Sequence, residues 1–481
     1  MTTTNMRVNL RAIVLDILME LNKPDSFSHV VIGNALTKYQ YLDKQERSFI
    51  TRLAVGTVEK RIELDYIIDT FSKTPSAKQK PLIRAVLEMS VYQLKYMDGV
   101  PESAVCNEAV KLVQKRGFSQ LKGFVNGVLR NIARNIDSVI YPDKNKDIIK
   151  YLSVVYSCPE WIIKMWTENY SADIVERMLK SFCSANSTYI RCNTNKVTPQ
   201  VLEEHLEQEG VIVEKIILNM SDDAVKNALG DVEQSSRKLH NGEECLAQEH
   251  PASFDGKRYI YQNGFKISGY DYLWDLQSFK NGEFQVQDIS SMLAGEGNII
   301  KTDDYIIDVC AAPGGKSINA ALKATEGKVD SRDVSENKIA LIESNLERLG
   351  IGNVTCKVWD AAVKDETAVE RADVVIADLP CSGLGIIGRK PDIKYNASPE
   401  KLESLAKLQR DILSVVWEYV KPGGYLIYST CTVNKGENEE NVKWFTDNYP
   451  FEPVQECVTL LPGINGTDGF FIARLRRKTA L

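Results

Sequence analysis

Two cysteines and an aspartate stand where covalent chemistry could be done. Asp378 and Cys381 lie in Ala377-Asp378-Leu379-Pro380-Cys381-Ser382-Gly383-Leu384-Gly385, directly after the β-branched run Asp373-Val374-Val375-Ile376. Such a run reads as a buried parallel strand, and open α/β sheets place their ligands at the carboxyl ends of strands. Cys431 follows fifty residues on, in Tyr428-Ser429-Thr430-Cys431-Thr432, behind a second strand-like run, Gly424–Tyr428. One thiolate can attack a carbon while a neighbouring group assists its departure, which splits a hard step into easier ones. From the residues alone, either cysteine can be the nucleophile.

A second constellation points to a cofactor. The run Tyr305-Ile306-Ile307-Asp308-Val309-Cys310 reads as a strand and leads through Ala311-Ala312-Pro313-Gly314-Gly315-Lys316-Ser317 into a helix from Ile318. Small residues and two glycines let the backbone turn tightly and approach a ligand, and a helix amino-terminus favours negative charge. The spacing is not that of a Walker loop, which would need a glycine at Cys310, nor is it G-x-G-x-x-G. The next strand-like run, Gly327–Asp333, ends on an acid about twenty residues after the loop, the position that binds ribose hydroxyls in nucleotide folds. Asp360 ends a further strand and could meet an adenine amino group. A glycine-rich turn with two strand-end acids suits S-adenosylmethionine. Each acid taken singly also suits a turn or helix cap.

These elements must be carried by a chain of 481 residues, long enough for roughly three domains. Its 43% hydrophobic and 26% charged residues are those of an ordinary globular protein. No apolar run reaches the roughly 18 residues of a membrane span and the first residues lack a signal-peptide core, so a cytoplasmic protein without a membrane partner is expected. The ten cysteines (106, 158, 183, 192, 245, 310, 356, 381, 431 and 457) contain no C-x-x-C pair, so no metal site is expected. Residues 1–140 hold 20 Lys/Arg against 14 Asp/Glu, which leaves the remainder at −12 within a formal net charge of −6. A basic module joined to an acidic body is compatible with an RNA substrate.

Residues 6–135 show helical periodicity almost throughout, in Val8–Leu21, in a helix opened by the capping pair Asp43 and Glu46, and in Ile62–Phe71, Pro81–Met97, Ala104–Arg116 and Phe124–Ile132. Residues 136–165 read as a connector with a short helix after Pro159. Ser187–Thr194 and Val211–Leu218 read as strands flanking a helix at Pro199–Glu209, and Asn219–Gln262 reads as a polar loop. Beyond Phe284–Met292 strands and helices alternate, which predicts a doubly wound parallel sheet.

Several stretches resemble known families. Ser90-Val91-Tyr92-Gln93-Leu94, Asn107-Glu108-Ala109-Val110 and Gly123-Phe124-Val125-Asn126-Gly127-Val128-Leu129-Arg130 resemble the NusB-like RNA-binding domain. Asp308–Lys316, Asp378–Gly383, Ser429-Thr430-Cys431, Glu437-Asn438-Glu439 and Thr467-Asp468-Gly469-Phe470-Phe471 resemble, in order and spacing, the RNA cytosine-5 methyltransferases. The combination is similar to the bacterial 16S rRNA cytosine-5 methyltransferases. The resemblance implies a multidomain fold: an all-α NusB-like RNA-binding domain over 1–140, a connector and small α+β RNA-facing subdomain over 141–265, and a Rossmann-like α/β methyltransferase domain over 266–481. It implies S-adenosylmethionine as cofactor, 16S ribosomal RNA as partner and a monomer. By family position Cys431 is the nucleophile, Cys381 serves product release, and Asp378 orients and protonates the base. Cys310, Ala311, Ala312, Pro313, Gly314, Gly315, Lys316, Asp333, Asp360 and Asp378 are the positions that bind the cofactor. Lys111, Lys115, Arg116, Lys122, Arg130 and Arg134 are the phosphate-contact candidates. Asp330 departs from the pattern where an apolar strand residue is usual, which predicts a weakened strand. Gly388 stands where a basic residue is common, before Arg389-Lys390-Pro391-Asp392, and predicts an altered RNA contact.

Other chemistries fit less well. A methyltransferase acting on an amino group would carry Asp/Asn-Pro-Pro-Tyr/Phe where this chain has Asp378-Leu379-Pro380-Cys381. A cysteine hydrolase needs a partnered base, and the four histidines (29, 205, 240 and 250) all precede the α/β domain. A non-enzymatic RNA-binding adaptor, or methylation of another RNA, is the alternative.

Overall fold

The computed structural model describes residues 8–23, 26–184, 187–220, 228, 236–238 and 257–479. The chain divides into two compact units: residues 1–184 with 387–396, and residues 185–386 with 397–481. The span 141–265 is therefore shared between them. Among the described residues no helix is long and apolar enough to cross a membrane.

The first unit is helical: α1 (Leu10–Leu21), α2 (Ser28–Lys38), α3 (Lys44–Glu59), α4 (Arg61–Phe71), α5 (Pro81–Tyr96), α6 (Glu102–Lys115), α7 (Lys122–Asn135), α8 (Ile148–Val155), α9 (Glu160–Thr167) and α10 (Ala172–Phe182). Asp43 and Glu46 form the expected reciprocal capping box at the start of α3. Residues spaced three and four apart, such as Ile50, Leu53, Ala54 and Val58, or Val125, Val128, Leu129 and Ile132, turn one face of each helix into a common core. Lys111, Lys115, Arg116, Lys122, Arg130 and Arg134 are all exposed on α6, α7 and the turn between them.

Residues 387–396 belong to this helical unit although they follow the Cys381 motif in sequence. Asp392 accepts from the Ser28 backbone N–H at 3.2 Å, Lys394 Nζ donates to the Glu59 carbonyl at 2.8 Å, and the Arg61 guanidinium lies 5.3 Å from the Tyr395 ring centre. A Cβ at Gly388 would sit 3.2 Å from Phe182 Cα. The glycine thus accompanies close backbone packing at this point.

Among its described residues the second unit holds two sheets. The smaller is antiparallel, in the order β2 (Ile212–Met220), β4 (Lys257–Ser268), β1 (Thr188–Cys192), β5 (Phe284–Val286), with β3 (Ser236–Lys238) also on β4. The helix α11 (Pro199–Gln208) contributes Leu202 and Leu206 to its core. The reading of Asn219–Gln262 as one loop is corrected at both ends, because β2 runs to Met220 and β4 begins at Lys257. Tyr259 and Tyr261 are buried two residues apart, the period-2 signal of a strand facing a core. Within that segment β3 covers 236–238, and the remaining residues other than Ala228, with His240, Cys245 and His250 among them, lie outside the described residues.

The larger sheet contains β6 (Tyr305–Asp308), β7 (Lys328–Asp333), β8 (Val354–Val358), β9 (Ala372–Asp378), β10 (Val420–Thr430), β11 (Phe451–Pro453), β12 (Val458–Leu460) and β13 (Phe470–Arg477). The path is β11-β13-β10-β9-β6-β7-β8, with β12 also on β13. From β10 to β8 neighbours are parallel, as the alternation of strands and helices predicts. The sheet is mixed rather than wholly parallel, since β13 pairs antiparallel with β10, β11 and β12. Ile307, Val375, Ala377, Leu426 and Tyr428 pack on one face with the helices Pro399–Val416 and Glu439–Asn448. Ile306, Val374, Ile376 and Ile427 pack on the other with Gly315–Lys323 and Glu336–Leu349. Covering both faces explains why these strands read as continuous apolar runs.

The strand order reverses between β6 and β9, and a crevice at such a switch point is where doubly wound sheets bind ligands. Asp330 does not interrupt β7. Its carboxylate accepts from Arg332 Nε at 2.8 Å and Nη2 at 2.6 Å, and Arg332 Nη1 lies 3.1 Å from Asp365. The expected weakness is offset by a partner two residues on, on the same face of the strand.

Candidate active site

The loop after β6 is held down at the end of β7. The Ala311 N–H donates to the Arg332 carbonyl at 2.8 Å, and the Ala312 N–H donates to Asp333 Oδ2 at 3.0 Å. Asp333 Oδ1 accepts from the Val334 N–H at 2.8 Å and lies 2.9 Å from Lys338 Nζ. Gly314 has φ +100° and opens the helix Gly315–Lys323 without a side-chain cap, so that glycine is required by backbone geometry. The Ala312–Pro313 bond is cis. Loop and helix start together form a turn able to receive a nucleotide-like group.

Asp308 sits fully buried beneath this loop. Ser317 Oγ donates to its Oδ2 at 2.7 Å, while among the described residues Oδ1 has no hydrogen-bond partner. Burial pushes the carboxyl up to about 7, opposed in part by Ser317 and by the charge of Lys316. The Cys310 thiol is pushed far up by burial, with Asp308, Asp333 and Asp378 adding to the effect. That environment suits a quiet loop residue rather than a nucleophile.

Lys316 reaches away from its own loop. Its Nζ lies 2.7 Å from Asp378 Oδ2, donates to Ser291 Oγ at 3.0 Å, and stands 5.2 Å from the Phe470 ring centre. Asp378, the last residue of β9, is opposite Ser429 in the parallel register with β10. Ser429 Oγ donates to Asp378 Oδ1 at 2.7 Å. Both oxygens of this acid are therefore engaged by donors from neighbouring elements, which fixes its orientation.

The two cysteines, fifty residues apart in sequence, meet at the carboxyl ends of β9 and β10. Their sulfurs are 3.2 Å apart, and the Cys431 N–H points to Cys381 Sγ at 3.3 Å. Both are free thiols, since a disulfide would bring the sulfurs to about 2.05 Å. The Cys381 thiol is pushed well above its ordinary value by its hydrogen bond with Cys431, then by burial, and then by the charges of Cys431 and Glu437.

The Thr467–Phe471 motif closes this pair from the side. The Gly385 N–H donates to the Cys431 carbonyl at 3.1 Å and the Gly469 N–H to the Gly385 carbonyl at 2.9 Å. A Cβ on Gly385 would lie 2.2 Å from the Gly469 carbonyl oxygen, so only glycine allows this approach.

The structure thus brings together Lys316, Asp378, Cys381 and Cys431, and separately joins Ala312 to Asp333. Asp360 is exposed, and its Oδ1 accepts from the Ala362 N–H at 2.9 Å. This is the turn-capping reading of that acid. Ser291 and Gln409 were not anticipated as site residues. Ser291 lies in a motif read only as a lead-in to the domain, and Gln409 lies on a helix with no motif of its own.

Residues 299–476 match the family described as 16S rRNA methyltransferase RsmB/F, and residues 8–134 match the NusB family. A Bacillus subtilis (strain 168) protein named probable ribosomal RNA small subunit methyltransferase B is 33% identical, over 98% of this chain and 99% of its own. The ribosomal RNA small subunit methyltransferase B of Vibrio cholerae is 26% identical over 93% of each chain. The crystal structure of PH0851 superposes with a TM-score of 0.74 at 24% identity, covering 97% of this chain and 98% of its own, a likeness of fold.

Proposed function

The chain belongs to the RsmB/F family of 16S rRNA methyltransferases, and from that membership we propose that it methylates carbon 5 of a cytosine in 16S ribosomal RNA through a covalent cysteine adduct at carbon 6. The observation that carries this reading is the 3.2 Å approach of Cys381 and Cys431 beside the doubly anchored Asp378. A methyltransferase acting on an exposed nucleophile has no need of two adjacent thiols. Carbon 5 of cytosine is a poor nucleophile, and thiolate addition at carbon 6 makes it enamine-like.

S-adenosylmethionine supplies an electrophilic methyl group when bound. The residues fit it: a left-handed Gly314, a helix start without a side-chain cap, and the unpartnered Asp308 Oδ1 are on one side of the crevice. Cys310–Gly315 with Asp333 and Asp378 would hold it, the Lys316 charge being spent on Asp378 and the Asp360 carboxylate on its own turn. Cys431 attacks carbon 6 as its thiol proton passes to the ring nitrogen by way of Asp378, which holds the ring at its nitrogen or amino edge and takes that proton back at release, and Lys316 keeps Asp378 aimed. Loss of the carbon-5 proton then restores the ring double bond as Cys431 departs, with Cys381 assisting. A stacked cytosine cannot present this edge to two thiols, so the substrate base is flipped or unpaired. The exposed cations of α6 and α7 hold RNA phosphates.

The test is methyl transfer from labelled S-adenosylmethionine to 16S rRNA, followed by digestion to nucleosides. The label is expected in 5-methylcytidine. Label in N4-methylcytidine, or transfer to none of several RNAs, would overturn the reading, the latter in favour of an adaptor.

A further inference from the structure

Behind the two thiols, a buried network joins the loops that carry them. Glu437 is fully buried. Its Oε2 accepts from the Ser382 N–H at 2.8 Å and from Gln409 Nε2 at 3.2 Å, and its Oε1 accepts from Asn434 Nδ2 at 3.1 Å. Gln409 Nε2 also donates to the Pro380 carbonyl at 2.9 Å. The residues on either side of Cys381 are therefore both held, one by Gln409 and one by Glu437. Glu437 and Asn434 lie in the segment that follows Cys431, and Ser382 Oγ donates to Thr432 Oγ1 at 2.9 Å. Gln409 Oε1 accepts from Tyr428 Oη at 3.2 Å and from Asn441 Nδ2 at 2.7 Å, which fixes its amide in one orientation.

Burying a carboxylate among neutral donors is a costly way to join two loops, since an uncompensated charge loses several kcal/mol of hydration. A charge here has an effect that a neutral clamp would lack. It lies next to Cys381 and favours the thiol over the thiolate, which leaves the S–H available to donate to Cys431.

We infer that Glu437 and Gln409 are positioning residues for product release, holding the Pro380–Ser382 backbone so that the Cys381 S–H faces the Cys431 sulfur. The inference rests on the assignment of Cys431 as nucleophile and Cys381 as release residue. In release the carbon-5 proton passes to water, and the electron pair of that C–H bond forms the carbon 5–carbon 6 double bond. The carbon 6–sulfur bond breaks with its pair returning to Cys431, whose developing thiolate accepts the Cys381 S–H. Addition and methyl transfer do not use that hydrogen bond, so loosening the clamp slows departure selectively.

Glu437→Gln and Gln409→Leu in the full chain, with Cys381→Ala alongside, test this on 16S rRNA. First-turnover methylation is expected within about threefold of wild type, with steady-state turnover at least about tenfold lower and a persistent protein–RNA adduct on denaturing gels. Equal loss of both rates without adduct, or unchanged turnover, would overturn the inference. Should Glu437→Gln fail to fold by circular dichroism, Gln409→Leu decides by the same readouts. If Cys381→Ala accumulates adduct and the clamp variants do not, only the clamp fails. If Cys381→Ala accumulates none, the assignment beneath it fails.

Discussion

The Lys316 ammonium lies 2.7 Å from Asp378 Oδ2, so a residue of the loop after β6 ends on the acid that closes β9. By its motif Lys316 belongs to the cofactor loop, yet its charge is spent on the carboxylate beside the cysteines. Lys316→Met should therefore act on the chemical step. A fall in kcat of about 10²-fold is expected, the size seen when one preorganised charge or donor is removed. Titration calorimetry should show cofactor Kd changed by less than about threefold. Lost cofactor binding with kcat preserved would return Lys316 to the cofactor.

Asp308 gives a signed dependence on pH. Its carboxyl is raised from 3.8 to about 7, chiefly by burial. A raised folded value means that the stability from its protonation is fully present below 3.8 and is lost as pH rises through about 7. Asp308→Asn keeps the shape without the titration. Its stability relative to wild type, from urea unfolding at pH 5 and pH 8, should be higher at pH 8. A difference that is the same at both pH values would contradict the assignment.

Asp330, Arg332 and Asp365 form a buried cluster that the linear chain conceals. Arg332→Met leaves two buried carboxylates without their shared partner and should cost about 3–5 kcal/mol by denaturant unfolding. A loss below about 1 kcal/mol would show the cluster to be relaxed or hydrated.

That cluster also marks what the sequence discloses. The chemistry-bearing motifs were legible because each is short and sits at a strand end, so the topology of alternating strands and helices alone brings Asp378, Cys381 and Cys431 to one edge. The capping box of α3 was legible for the same local reason. Arg332 rescuing Asp330 was half-visible, as a same-face neighbour, but Asp365 joins only through the fold. The helix α2 went unread because Ser28–Lys38 contains Gly33 and Asn34 and buries only Ser28 and Ile32, a weak stripe. Residues 257–262 were hidden in a polar stretch although Tyr259 and Tyr261 alternate inward. Gly388 read only as a departure from the family pattern that alters an RNA contact, while the packing of 387–396 on Ser28 and Glu59 depends on residues more than three hundred positions away.

The exposed cations of the helical unit should behave as phosphate contacts. Lys122→Ala, Arg130→Ala and Arg134→Ala should each weaken rRNA binding without sequence preference. Each should also lower the slope of log K against log salt by about 0.7–0.9. Their folding stability should stay within about 0.5 kcal/mol of wild type. Filter binding across a salt series reads the slope, and an unchanged slope in all three would place the RNA on another surface.

In the proposed reaction two adjacent thiols divide the work, Cys431 attacking and Cys381 releasing. The most direct measurement incubates wild type, Cys381→Ala and Cys431→Ala with 16S rRNA and S-adenosylmethionine, then resolves them on a denaturing gel. A persistent protein–RNA adduct is expected in Cys381→Ala and none in Cys431→Ala. An adduct that persists in Cys431→Ala would swap the two roles, and methylation retained by Cys431→Ala without any adduct would contradict covalent catalysis altogether.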